Sequence, residues 1–369
     1  MTRAQARLRW PTVDGEAPLP GLGERVTHPE FAGVEFLHVR AKSLLNHVPE
    51  AASLPFRWTI NTYRGCTHAC TYCFARPSHR WLELDPATEF ESVIVVKVNA
   101  VERLRAELRA PRWRGEAVAL GTNTDPYQRA EGRYRLTRGV VTTLTGAANP
   151  FSVLTKGTLV LRDLDVLADA ARAGVCTSVA LSIPTVDDTV WRVTEPGTPH
   201  PRRRLETVAA LADAGVPTGV FLAPVIPGLS DGVEQLRAVI EEAVAAGADS
   251  VTAIPLHLRP GVREVFLERL ADHDPERAAA LAATYRGAYA PRSDRRRIAA
   301  TVDRLLADAG GPHRSTRARS RDPRSVARGA HGQPDPAPPH AATAGDEASL
   351  PPTTPSPAGE PRGEQLRLL

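Results

Sequence analysis

The sequence predicts an α/β protein built as a partial (β/α) barrel of about six units. Three observations lead there. Short apolar runs alternate with stretches of helical spacing, and several of those stretches close on Gly. The apolar runs are continuous rather than alternating, which marks strands of a parallel sheet buried on both faces. About six such units follow one cysteine-rich loop, short of the eight that close a full barrel.

In order along the chain, residues 1–34 read as a polar N-terminal extension with scattered Pro and Gly, loosely ordered or draped on the surface. A core domain spans 35–305. Its candidate strands are FRWTINTY, SVIVVKV, EAVALG, FSVLTK, CTSVALSI, PTGVFLAPVI and SVTAIPL. Between them, VERLRAELR places Val101, Leu104 and Leu108 on one face. LRDLDVLADAARAG does the same with Leu164, Leu167 and Ala168. That stretch ends at Gly174, PRRRLETVAALADAG at Gly215 and VEQLRAVIEEAVAAG at Gly247. Gly just past the last turn accepts the left-handed cap. From 306 to 369 the chain turns rich in Pro, Arg and Ala, with too little apolar surface to offset the entropy of ordering, so the tail is expected to be disordered.

Apolar residues make up 42% and charged residues 24% of the 369, enough to bury a sizeable core. The net charge is +4, but the stretch from Gly310 onward carries eight Arg against six Asp or Glu. The body is therefore close to neutral, and its balance alone does not mark a nucleic-acid face. The Arg run of the tail reads as a solvated linker before a binding segment. Four cysteines, three of them clustered, are not a secreted disulfide framework. No secretory leader and no run of about 20 apolar residues is evident, so a membrane span is not expected. A reducing cytoplasm fits, and keeps thiols available as ligands.

The chemistry concentrates in GCTHACTYCFARPSH, which holds Cys66, Cys70 and Cys73 directly after the first strand. In a (β/α) fold this is the C-terminal end of the strands, where ligands bind. Three thiolates on one loop can wrap a four-iron cluster and leave one iron without a protein ligand. Zinc is the rival, with His68 or His79 as fourth ligand, although zinc sites usually come as two separated pairs. Cys176, at the opposite end of a strand, reads as a buried core thiol.

CTHACTYC is similar to the C-x3-C-x-aromatic-C signature of the radical S-adenosylmethionine (SAM) superfamily, with Tyr72 at the aromatic position. YRGCTHACTYCFARP together with GTNTDPYQRAE, LTKG, ALSIPT, TEPGTP and PVIPGLSD resembles its spore-photolyase-like (SplB-like) branch, over roughly residues 35–300. The resemblance implies the partial barrel of that superfamily and a [4Fe-4S] cluster held by Cys66, Cys70 and Cys73. SAM would chelate the fourth iron. One electron, from a reductant such as flavodoxin or ferredoxin, would split SAM to a 5'-deoxyadenosyl radical that takes hydrogen from a substrate.

The resemblance also implies SAM contacts. Tyr72 would sit beside adenine. Thr122, Asn123, Thr124 and Asp125 would meet the methionine moiety, with Gly121 letting backbone approach a ligand closely. Lys156 would reach SAM, and Ser182 its ribose or carboxylate. Arg192, followed in the same loop by Glu195, would offer a fork to that SAM carboxylate or to the substrate. Val225 and Ile226 would line adenine with backbone. Each of these positions also reads more plainly, as turn chemistry, an exposed strand end or core. No catalytic side chain is assigned. One departure stands out: spore photolyase has a cysteine, a hydrogen-atom donor, in the loop matching GTNTD, where Thr122 or a neighbour stands here. Tyr127 or Tyr134 could substitute. Nucleic acid is the leading substrate class by analogy; a peptide or small metabolite, or a metal-binding protein without turnover, are the alternatives.

Overall fold

The structure, a computed structural model, describes residues 24–311 apart from 50–53 and 55. The expectations for the extension up to residue 23 and for the tail from 312 fall outside those residues. The strands are β1 (Arg25–Thr27), β2 (Glu35–Val39), β3 (Leu45–His47), β4 (Trp58–Ile60), β5 (Tyr63–Arg64) and β6 (Val93–Lys97). They continue with β7 (Val118–Leu120), β8 (Phe151–Thr155), β9 (Thr177–Ser182), β10 (Thr218–Val225) and β11 (Ser250–Pro255). The helices are α1 (Ala100–Leu108), α2 (Glu131–Tyr134), α3 (Leu136–Gly146), α4 (Leu164–Arg172), α5 (Asp188–Thr194) and α6 (Pro201–Asp213). The last four are α7 (Val233–Ala245), α8 (Arg263–Ala271), α9 (Pro275–Thr284) and α10 (Arg292–Asp308).

Seven strands form the main sheet, in the order β3-β4-β7-β8-β9-β10-β11. From β4 to β11 every neighbour is parallel, and β3 adds an antiparallel edge. Six parallel strands with helices between them form the predicted partial (β/α) barrel, although β4 precedes the cysteine loop and five strands, not about six, follow it. Gly174, Gly215 and Gly247 take positive φ past α4, α6 and α7, as helix-stopping residues should. The core fills the space between strands and helices with Val140, Leu144, Val153, Leu181, Leu211, Val220, Leu222 and Ile240, all at most 2% exposed. Helix α10 covers the far side with Ile298, Val302 and Leu305.

Two features depart from the sequence reading. The run SVIVVKV supplies no barrel strand: β6 pairs parallel to β2 and antiparallel to β5 in a second, four-stranded sheet of order β1-β2-β6-β5. Likewise FRWTINTY splits at Asn61, with β4 in the barrel and β5 in the second sheet. All five residues of β6 are buried, so its composition matches a barrel strand; only its partners differ. The second correction is Cys176, which lies at the N-terminal end of β9 as expected but is exposed rather than a core thiol. Helices α8, α9 and α10 were not singled out in the sequence. Among the described residues no helix is long and apolar enough to cross a membrane.

Leu222 of β10 is fully buried between sheet and helices. Leu222→Ala is expected to lower the unfolding free energy by about 2–5 kcal/mol, the usual cost of a core cavity. Urea denaturation monitored by circular dichroism measures it.

Candidate cofactor site

The loop after β4 and β5 carries the cysteines across the C-terminal ends of the barrel strands, and it is tied down almost residue by residue. Cys66 N–H donates to the Phe90 carbonyl (3.0 Å), and Thr71 N–H to that of Thr194 (3.0 Å). Thr67 N–H donates to Gln128 Oε1 (2.9 Å), while Gln128 Nε2 returns to the Gly65 carbonyl (3.1 Å). Thr124 Oγ1 also donates to Gly65 O (2.6 Å). Arg76, with no exposed surface, donates from Nε to the Cys70 carbonyl (3.1 Å) and pairs with Glu91 (2.7 Å). On the other side Gly197 N–H donates to the His68 carbonyl (3.0 Å). A Cβ at Gly197 would stand 2.3 Å from Thr67 O, so only glycine allows this approach.

Cys66, Cys70 and Cys73 border one cavity of about 320 Å³. All three thiols are free, and burial pushes each of them up in pKa. Buried thiols held protonated in this way need a cation at the site to draw the protons off, which is how thiolate–metal centres form. Among the described residues no three His, Cys, Asp or Glu donors close on a single point, as a lone zinc ion would require. His79 directs Nε2 to the Val93 carbonyl (3.0 Å), and His68 turns Nδ1 toward Asp125 (3.3 Å). Three thiols spaced around a cavity suit a polynuclear cluster better than one ion.

Most of the anticipated contacts meet here. Tyr72, Thr122, Asn123, Thr124, Asp125, Lys156 and Ser182 all border the same cavity. Asn61 sets the height of the GTNTD loop: its Oδ1 accepts from Asn123 N–H (2.9 Å) and its Nδ2 donates to Thr122 Oγ1 (3.3 Å). Asp125 is a brace. It accepts from Tyr127 N–H (2.8 Å), Thr155 Oγ1 (2.6 Å) and Lys156 N–H (2.6 Å). Burial opposes its charge, but His68 and these donors prevail and hold its carboxyl below the usual range. Gly121 borders the cavity and the protein alone requires glycine there: at φ 89°, a Cβ would lie 2.0 Å from the Leu154 carbonyl.

Three of the anticipated residues lie outside the cavity lining. Arg192 stands in solvent on α5 and pairs with Asp188 (3.0 Å), away from the cavity. Val225 and Ile226 are fully buried; Ala223 and Pro224, just before them, border the cavity instead. The Val225 carbonyl accepts from Leu256 N–H (2.9 Å), and Ile226 N–H donates to Ser230 Oγ (2.9 Å). Neither Tyr127 nor Tyr134 borders the cavity.

A buried arginine fork nearby, Arg204 of α6, grips protein groups only. Arg204 pairs with Glu195, and donates to Thr198 Oγ1 (2.6 Å), the Ser182 carbonyl (2.8 Å) and the Pro199 carbonyl (2.9 Å). Glu195, 1% exposed, also accepts from the Tyr72 hydroxyl and from Lys156 Nζ (2.7 Å). Lys156 Nζ donates to Ser182 Oγ as well (2.7 Å) and lies 5.6 Å from the Tyr72 ring centre. Burial disfavours the Glu195 charge, yet Arg204 and Lys156 hold its pKa at about 2. Arg76 and Gln128 fall inside the motif runs and Arg204 outside them, but sequence reading assigns none of the three a role; their hydrogen bonds to buried partners do.

A cysteine-lined cavity at the C-terminal end of a partial barrel defines the class: a cluster-bearing (β/α) enzyme fold. The radical SAM superfamily model matches residues 60–254, and the chain belongs to that superfamily. Its cofactors are accordingly a [4Fe-4S] cluster and SAM. An uncharacterised protein of Mycobacterium tuberculosis is 47% identical over 310 residues, covering 82% of this chain and 91% of that one. An uncharacterised protein of Methanocaldococcus jannaschii is 28% identical over 200 residues, covering 54% and 70%. Among solved structures, spore photoproduct lyase complexed with dinucleoside spore photoproduct has the same fold, with TM-score 0.54 and 16% identity over 74% of this chain and 79% of that one. A variant of that lyase with bound AdoMet gives 0.53 and 18% over 73% and 78%.

Glu195→Gln leaves Arg204 and Lys156 buried against a neutral amide. It is expected to cost about 3–5 kcal/mol of stability at neutral pH. In the parent protein the Glu195 contribution is complete above the ordinary carboxyl pKa of 4.5 and is lost as pH falls toward about 2. Urea titrations of both proteins between pH 7 and 3 should show that acid-dependent loss reduced in the variant.

Proposed function

We propose that the chain is a radical SAM enzyme whose cluster is held by Cys66, Cys70 and Cys73 and whose substrate is nucleic acid. A cluster held there would supply one-electron reduction of SAM, and with it hydrogen abstraction from the substrate. The protein's residues hold and shield. Lys156, kept near the cavity by Glu195 and Ser182, offers an ammonium to the SAM carboxylate. The loop from Thr122 to Asp125 offers hydroxyl and amide groups to the amino-acid moiety. Tyr72, its hydroxyl tied to Glu195, presents its ring. Leu154, Phe221 and Ala223 close the wall and exclude water, which protects a reactive radical. A cytoplasmic setting and a flavodoxin or ferredoxin as electron source complete the reading.

The observation that carries the substrate class is the cavity's mouth. Phe74 and Ile254 border the cavity and stay 49% and 44% exposed. Arg259 lies over the Phe74 ring at 6.0 Å. His257, also bordering the cavity, stacks on Tyr289 with ring centres 4.2 Å apart and planes at 10°. Tyr289 is 64% exposed, and Arg295 lies over it at 6.0 Å. Exposed rings interleaved with arginines are how single strands are held: bases stack on the rings while guanidinium groups meet phosphates. The fold shared with a lyase solved in complex with a dinucleoside photoproduct supports the same class.

Anaerobically purified protein should be brown, with about four iron per chain. With dithionite and SAM it should release 5'-deoxyadenosine, carrying deuterium when labelled nucleic acid is the substrate. Label arriving only from a peptide or metabolite pool would overturn the substrate assignment. Cys70→Ala should lose the cluster, and a variant keeping its full iron would show that the ligands are others. Tyr289→Ala should weaken binding of a single-stranded oligonucleotide by about tenfold, the effect of one lost stacking platform, measured by fluorescence anisotropy.

A further inference from the structure

A second concavity, of about 890 Å³, lies beside the cysteine loop. It is bounded by Phe31 before β2, by Arg129, Arg133 and Arg135 around α2, by Gly157–Leu159 after β8, and by Gly197–Pro199. None of the three cysteines borders it. His68 borders both this groove and the cluster cavity, and is the one residue the two linings share. His68 is 2% exposed and is clamped from both sides, by Asp125 at Nδ1 (3.3 Å) and by Gly197 N–H at its carbonyl (3.0 Å). The two linings therefore meet at His68, two positions from Cys66 and from Cys70.

The groove is positively charged. Arg133 is matched by Glu30 (2.7 Å). Arg129 lies over the Phe31 ring (5.5 Å), Arg135 is exposed, and among the described residues neither has a carboxylate within ion-pair distance. The linings of groove and cavity share none of the mouth residues Phe74, Ile254 or His257. An occupant of the groove would thus be shut out of the cavity yet close to the thiols. Electron transfer weakens steeply with distance, so that position suits a donor of electrons rather than the molecule that gives up hydrogen.

We propose that this groove is the docking site of an acidic one-electron carrier protein, with Arg129 and Arg135 as its charged anchors. The proposal rests on the radical SAM reading above. The carrier is oxidised by one electron and the cluster site is reduced by one; no atom passes between the proteins. Opposite charge on the carrier would speed the encounter and make it sensitive to salt.

The test uses the full chain with its cluster, an Arg129→Ser/Arg135→Asn variant, and Arg172→Ser on α4 as a charge control. Asparagine is chosen because residue 135 has φ 52°, which asparagine tolerates. The probe is a purified acidic flavodoxin. The double variant should bind it about tenfold more weakly at low salt by biolayer interferometry, the scale of electrostatic steering, and the difference should shrink at high salt. Its 5'-deoxyadenosine release should fall with reduced flavodoxin and be unchanged with dithionite. Unchanged flavodoxin binding, an equal loss in the Arg172→Ser control, or an equal loss with dithionite overturns the proposal. Weakened binding of a single-stranded oligonucleotide with flavodoxin binding intact also overturns it, and assigns the groove to substrate phosphates. If the parent protein releases no 5'-deoxyadenosine with dithionite, it is the radical SAM reading that fails, whatever the flavodoxin measurement gives.

Discussion

The carboxylate of Glu195 joins four separate parts of the chain inside the barrel. It takes the hydroxyl of Tyr72 from the cysteine loop, the ammonium of Lys156 from the end of β8, and the guanidinium of Arg204 from α6. Through Lys156 and Arg204 it also reaches Ser182 at the end of β9. An isolated carboxylate with 1% exposure would be heavily penalised. Two cations and a phenol satisfy it, and together they leave its lone pairs no need of water. Removing any one partner strands the others, so the cysteine loop and the strand ends are fixed as a unit.

That rigidity has a chemical use. A radical intermediate must be generated where water and stray hydrogen donors are excluded. The cavity meets this with an apolar wall and with polar groups that already have protein partners. Tyr72 is the one tyrosine among the described residues that borders the cavity, and its hydroxyl is bound to Glu195. Asp125 does for the second strand end what Glu195 does for the third and fourth: it orders backbone and side chains that face the ligand without itself being free to meet it.

The second sheet explains how the loop is supported from outside. By diverting β6 from the barrel, the fold brings Phe90 and Glu91 against the cysteine loop, where they receive Cys66 N–H and Arg76. The barrel end thus separates two surfaces. An aromatic, arginine-bearing mouth opens toward the cavity, and a basic groove lies across His68. Substrate and reductant could approach by different faces without competing.

The sequence by itself determined the repeating unit and the ligand loop. Continuous apolar runs and glycine stops are local signals, set by burial on two faces and by backbone sterics, and the spacing of Cys66, Cys70 and Cys73 is local too. Tyr72, the Thr122–Asp125 loop, Lys156 and Ser182 were expected near a cofactor from the resemblance, and they border one cavity where the loops after successive strands meet. What only the tertiary structure decided was partnership. Val93–Lys97 is as apolar as a barrel strand, and nothing within it says which sheet it joins. Arg192 and Arg204 stand on neighbouring helices twelve residues apart, and only packing reveals that the first faces water while the second faces Glu195. Val225 and Ile226 follow directly on Ala223 and Pro224, which line the cavity, at the point where β10 shifts register against β11. Buried charge and register depend on neighbours far away in the chain, and a linear pattern holds no record of them.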